Sequence, residues 1–317
     1  MEFVQFYPLA LAEPGHPPLV IPPRLADCGR LRNSRGEDIL DKYGIDERPA
    51  AERARDRLSQ ALFKEIYRNG LEVWLHLQGL SDENWQIDPF SSALRHLLGE
   101  RYGARRRPLR VTPVAHHVMG GVSIDHRGVT TVPGLFAAGE VAGGLHGANR
   151  MGGNALSETL VFGARAGTAA AEWAKQSSAY NEQSLLKRLQ ERSLEWGKVG
   201  STRADFRDRL GKLMWHDGGV IRNRQALARA LAVVREMSEE LRGSSPEHGG
   251  CEVRNAIEMR TATSVAALIL EGALRRSESR GAHFREDFPQ QDDGNWRGCL
   301  QVHRALNGED AWHFRTG

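Results

Sequence analysis

A chain of 317 residues, with 40% apolar and 26% charged side chains, is long enough for two or three soluble domains, each with a real core. Its formal net charge of +3 is too small to argue for nucleic acid or an anionic membrane as the partner. Cys28, Cys251 and Cys299 are scattered and odd in number, so they indicate neither a disulfide framework nor a zinc knuckle, and the longest apolar run, near Val265 to Leu270, is far too short to span a bilayer.

The chain opens on the strand-like EFVQF directly after Met1, with no signal-peptide pattern, so the expected location is the cytoplasm, either free or at a membrane through partner subunits. EPGHPPLVIPPR follows, with five prolines in ten residues, and predicts a stiff, extended loop. Apolar spacing predicts a helix from about Pro49 to Asn69, with Leu58, Leu62 and Ile66 on one face and Gly70 ending it. RYGARRRPLR holds five arginines but only Tyr102 as a stacking partner, so it reads as a solvated linker rather than a nucleic-acid patch. Leu109 to Val114 begins another strand. His116 and His117 are neighbours on extended chain and point to opposite faces; no third ligand at a useful spacing makes them a metal pair. Ser123 to Thr131 reads as a hairpin with Asp125 to Gly128 in its turn.

The most informative stretch is Gly134 to Ala171. It predicts a buried strand from Leu135 to Ala138 that stops at Gly139-Glu140, a glycine-rich loop, and an alanine-rich helix starting near Asn154. Glycine lets backbone approach a ligand, a helix N-terminus offers N–H groups and a positive dipole end, and a carboxylate at a strand end can grip a ribose or ribityl hydroxyl. The stretch therefore reads either as a seat for an anionic or polyhydroxylated cofactor, or as a tight crossover that needs glycine only for packing. From about Gln176 to Arg275 the pattern is helical: Leu185, Leu186 and Leu189 mark one stripe, Leu227, Leu231, Val234, Met237 and Leu241 a second, and Val265, Leu268 and Ile269 a third. GSSPEHGG, which ends at His248 to Gly250, is a loop. ESRGAHFREDFPQQDD then begins a small C-terminal piece, with Arg280 and His283 expected to be structural.

GLFAAGE and HGANRMGGNAL, together with PVAHHVMGGVSID and ESRGAHFREDFP, resemble in kind and order the signatures of the succinate dehydrogenase/fumarate reductase flavoprotein family, which includes L-aspartate oxidase. The resemblance covers nearly the whole chain but only the later half or more of the family's usual length. It implies an α+β chain: a cap domain with flanking strands (1–106), the second half of an FAD-binding α/β domain (107–175), a three-helix domain (176–275) and a small C-terminal piece (276–317). The cofactor it implies is FAD, with Gly139, Glu140, Asn154, Ala155 and Leu156 in the binding segment. Arg150 and His116 would hold substrate carboxylates, and Arg55, in RARDRLSQAL, would deliver a proton. The implied reaction is hydride transfer between flavin N5 and the Cα–Cβ bond of a small carboxylate, with L-aspartate oxidase-like amino-acid oxidation as the alternative.

Three positions depart from the family pattern. Tyr7 replaces a carboxylate-binding histidine in EFVQFYP, and Ile21-Pro22 replace a Thr-Glu pair, so a monocarboxylate, a bulkier acid or an acyl thioester competes with a dicarboxylate as substrate. No GxGxxG loop follows a strand here. A separate N-terminal FAD-binding half, or a longer parent chain, is therefore expected to hold the pyrophosphate, with FAD weak or absent in the isolated chain. An iron–sulfur subunit is the partner the family implies, and a flavin-free docking module is the reading from another functional class.

Overall fold

The computed structural model describes residues 1–13, 15, 18–177, 183, 186–188, 205–242, 250–304 and 310–316. The chain divides into two compact units, Val4–His117 and Met1–Phe3 with Val118–Gly317.

The unit Val4–His117 is built on a four-stranded sheet in the order β1 (Val4–Leu11), β4 (Leu109–Val118), β3 (Val73–His76), β2 (Arg30–Asn33), with β2 and β4 both antiparallel to β3. Every residue of β1 is buried, and on β4 Leu109, Val111 and Pro113 point inward in alternation, as the two-residue period of a strand requires. The proline-rich segment is extended as expected and lies beside β1: Ile21 N–H donates to Leu9 O and Leu11 N–H to Leu19 O. The expected helix over 49–69 is broken once. Ala50–Arg53 forms α3, after the short α1 (Pro23–Asp27) and α2 (Ile39–Lys42). Ala54 then leaves the helical region at φ −115°, ψ 30°, and Arg55–Phe63 forms α4, which widens into a π turn over Lys64–Arg68. Leu58 and Leu62 of α4 are buried among Leu9, Leu75 and Trp85, and Gly70 ends the helix with φ 65°, a conformation that costs glycine nothing.

The arginine-rich stretch is not a free linker. Tyr102 and Ala104 are buried; Arg105 lies over the Trp85 ring at 4.9 Å and pairs with Asp82 at 2.8 Å, and Arg107 pairs with Glu13 at 2.9 Å. The aromatic partner that stacks on an arginine here comes from the short α5 (Asp82–Trp85), distant in sequence, and α6 (Pro89–His96) follows it.

In the second unit a short parallel pair, β5 (Val122–Ser123) with β6 (Ala142–Gly143), is joined through a longer segment that contains the expected hairpin: Asp125 Oδ1 accepts from the N–H of Arg127 and of Val129, and Gly128 takes φ 79°. The buried strand expected over Leu135–Ala138 is absent. Leu135 is half exposed, and the segment's ladder is the single bridge of Phe136 to Val129, because no strand among the described residues runs along its other side. The alanine-rich helix does start at Asn154, as α7 (Asn154–Gln176), yet it buries only Glu158, Ala166 and Ala169. Helices α8 (Asp205–Asp217), α9 (Arg224–Arg242) and α10 (Gly250–Arg275) share one core, in which the expected α9 stripe Leu227, Leu231, Val234, Met237 and Leu241 is buried. On α10, Ile269 is buried while Val265 and Leu268 are half-buried. Leu185, Leu189 and the loop at His248–Gly249 lie outside the described residues. The single turn α11 (Asp293–Trp296) precedes a closing antiparallel hairpin, β7 (Gly298–Arg304) with β8 (Asp310–Thr316).

Candidate functional site

Two groups of candidate residues form, one in each unit. In Val4–His117 the shared neighbour is Tyr7. Position alternation on β4 leaves His116 exposed and His117 buried, as the two faces of a strand demand. His116 lies against the Tyr7 ring, 5.8 Å between centroids. Arg55 opens α4 and is half-buried, near enough for its charge to act on the Tyr7 phenol. Tyr7 is itself buried and its hydroxyl donates to Ile21 O at 2.5 Å. Burial pushes the phenol far above its ordinary pKa, only partly opposed by Arg55, so Tyr7 stays neutral. Two of the positions that depart from the family pattern are thus bonded to each other, a pairing that separation by 14 residues hides from any local reading.

In the other unit, Glu140 stands where the chain turns into β6, and its Oε1 accepts from the Val118 N–H at 2.9 Å. Gly139 beside it has φ 80°, and a side chain there would press on Thr159 Cγ2 at 3.2 Å. Arg150 is 7% exposed and bonds Met151 O at 3.2 Å. Between them the loop is held by a buried pair the sequence reading missed: His146 Nε2 lies 3.3 Å from Glu158 Oε2 in the second turn of α7. A histidine and a glutamate 12 residues apart, the second on an apolar helix, were the only signal for it.

The first turn of α7 carries no acidic residue, and its N-cap is Gly153, at φ 84°, with no side chain capping the backbone N–H groups. A Cβ added at Gly144, Gly147 or Gly153 would meet nothing within 4 Å. Asn154, Ala155 and Leu156 form this first turn; Leu156 is exposed. The structure therefore gathers Gly139, Glu140, Arg150, Asn154, Ala155 and Leu156 in one unit, and Arg55 and His116 in the other.

Comparison with known families decides the lineage. The family described as FAD binding domain matches residues 1–156, and the one described as fumarate reductase flavoprotein C-term matches residues 207–311. A fumarate reductase (CoM/CoB) subunit of Methanothermobacter marburgensis is 38% identical over 96% of this chain. The chain belongs to the succinate dehydrogenase/fumarate reductase flavoprotein family. It spans 57% of the length of the M. marburgensis relative. The L-aspartate oxidase of Nostoc sp. is 31% identical over 98% of the chain, which spans 56% of that protein. Among solved structures, an E. coli quinol fumarate reductase FrdA point mutant covers all of this flavoprotein chain with a TM-score of 0.84 at 29% identity, the match taking in 58% of FrdA.

FAD is the cofactor of the family segment over 1–156, and the residues present suit it. A carboxylate anchored to the last residue of β4, glycines with open space at the Cβ position, and a helix of 23 residues whose N-terminus has no side-chain cap match the polyhydroxylated and anionic parts of a flavin nucleotide.

Proposed function

We propose that this chain forms the cap, the later FAD-binding segment and the helical domain of an FAD-dependent oxidoreductase acting on the Cα–Cβ bond of a small carboxylate. The observation that carries this reading is the α7 N-terminus, which no side chain caps, with Glu140 anchored to the last residue of β4 and Arg150 buried in the connecting loop. Bound FAD supplies the hydride chemistry at N5; the protein binds, orients and moves the proton. Glu140 would hold the flavin sugar beside Gly139, and the backbone of Asn154, Ala155 and Leu156 would hold the pyrimidine edge, where a helix dipole favours negative charge. In one unit Arg150 offers a planar fork to a carboxylate, and in the other His116 offers an imidazole to a carboxylate oxygen. Arg55 hands over or takes back the second proton.

Tyr7, held neutral and bonded to Ile21 O, and Ile21 offer no charged group to a second carboxylate, so monocarboxylates belong in the assay beside succinate and fumarate. The pyrophosphate is held by a Rossmann segment outside this sequence, and an iron–sulfur subunit is the electron partner. The 31% identity to an L-aspartate oxidase supports a second reading, oxidation of an amino acid.

In the protein together with its Rossmann segment, the test compares wild type with Arg55→Ala, measuring flavin content and turnover of fumarate, succinate, crotonate and aspartate side by side. Flavin content equal in both with turnover lost in the variant is expected. Equal turnover would remove Arg55 from the chemistry, and turnover of aspartate alone would move the assignment to the second reading.

A further inference from the structure

The ESRGAHFREDFP motif does no chemistry in this scheme, yet it makes a close backbone contact to the loop that carries Arg150. Arg280 to His283 closes as a two-residue hairpin: Arg280 N–H donates to His283 O at 2.8 Å and His283 N–H to Arg280 O at 3.0 Å. Gly281, with φ 54°, holds the first central position, as such turns prefer. The tip of the turn meets the loop directly. Ala282 N–H donates to Ala148 O at 3.0 Å, and a Cβ placed on Gly281 would fall 2.4 Å from that same oxygen and 2.8 Å from the carbonyl carbon. No atom belongs at that distance, so glycine is required here by the closeness of the backbone as well as by φ.

The base of the turn is fixed. His283 is fully buried and accepts at Nδ1 from Arg222 Nη1 at 2.8 Å, while Arg280 grips Glu278 through two bonds of 2.8 and 3.0 Å. The loop is thus anchored at alternate residues: His146 to Glu158 on α7, Ala148 to Ala282, and Arg150 behind them. We propose that the Gly281-Ala282 turn is a positioning element that sets the height of the loop and thereby aims the Arg150 guanidinium. This rests on the reading of Arg150 as the carboxylate clamp, because a misplacement of about 1 Å in such a group costs on the order of a hundredfold in rate.

Hydrogen exchange on the full chain tests it. Gly281→Ala and Gly281→Asn both add the Cβ, but asparagine tolerates a positive φ, so an effect shared by both comes from the contact and not from backbone strain. The expected result is exchange at least tenfold faster across residues 146–154 in both variants, with α9 and α10 unchanged. Unchanged loop exchange in a folded variant overturns the proposal. So does rapid exchange of the Ala282 amide in the wild-type chain, whatever the variants do. In the active protein the variants raise KM for fumarate at least tenfold while flavin content holds, whereas an equal fall in flavin content and turnover shows a merely structural role and also overturns it. Absence of any carboxylate turnover in wild type refutes the proposed function instead, and the exchange result then decides the turn's role alone.

Discussion

Acidification below pH 6.5 should loosen the unit that contains His283, and the size of the effect follows from how that imidazole is held. His283 is fully buried, and Arg222 Nη1 lies 2.8 Å from its Nδ1. A guanidinium can only donate, so Nδ1 accepts and the ring proton sits on Nε2. Burial lowers Arg222 to about 10, which still leaves it a cation at neutral pH. Protonating His283 would therefore bring a second buried cation against the first. Burial in the first place, with Arg222 adding to it, depresses the imidazole well below its ordinary 6.5. The unfolded chain takes up a proton near pH 6.5 while the folded one does not, so the unfolded state binds more protons as the pH falls. The stabilisation is complete above 6.5 and is lost on acidification, at about 1.4 kcal/mol for each pH unit down to the folded-state titration. The depressed carboxylates of this unit, Glu2 and Glu278 among them, add their own smaller loss only as the pH nears the ordinary carboxylate range, at the lower end of this window.

The assay is hydrogen exchange of α9 and α10, corrected for intrinsic rates and read at pH 7, 6 and 5, since a two-unit chain makes a global melt ambiguous. The opening constant should rise about tenfold per pH unit below 6.5 in wild type. In His283→Asn it should stay flat, because asparagine sets an oxygen near the Nδ1 position, still accepts from Arg222, and cannot titrate. His76, also shifted down by burial, sits in the other unit and does not confound the reading. Equal slopes in wild type and variant would refute the reasoning.

Two other substitutions probe the remaining buried polar contacts. Tyr7→Phe leaves the buried Ile21 carbonyl without its donor and should cost about 1–3 kcal/mol in urea unfolding of its unit; no change would mean water replaces the hydroxyl. Arg276→Met strips two buried carboxylates, Glu2 and Glu278, of a partner 2.8 Å from each, and should destabilise by about 3–5 kcal/mol; a loss below about 1 kcal/mol would contradict the buried pairing.

Much of the candidate site was legible because its signals are local. Glycines at Gly139, Gly144, Gly147 and Gly153 announce positive φ, and the structure has it at each. Asn154 marks the start of α7, and the alternation of a strand separates His116 from His117. The stripe on α9 is buried as its spacing demands. The failures are non-local. The break at Ala54 carries no helix-breaking residue, since the chain bends there to seat α3 and α4 separately in the core. Leu135 to Ala138 has a strand's composition, but composition does not supply neighbouring strands.

Sequence alone determined the lineage, most of the helices and the residue types proposed to meet a flavin and a carboxylate, because motifs, glycine torsions and helical periodicity act within a few residues of themselves. Only the tertiary structure decided which charges are buried and what each one touches. Arg222, Arg276 and Arg285 look like surface arginines in the chain, yet all three are fully buried, because partners scattered from Glu2 to Gly298 converge on them. Tyr7 found Ile21, and Gly281 found Ala148, for the same reason: burying a polar group requires a partner, and the fold, not the neighbouring letters, brings that partner into reach.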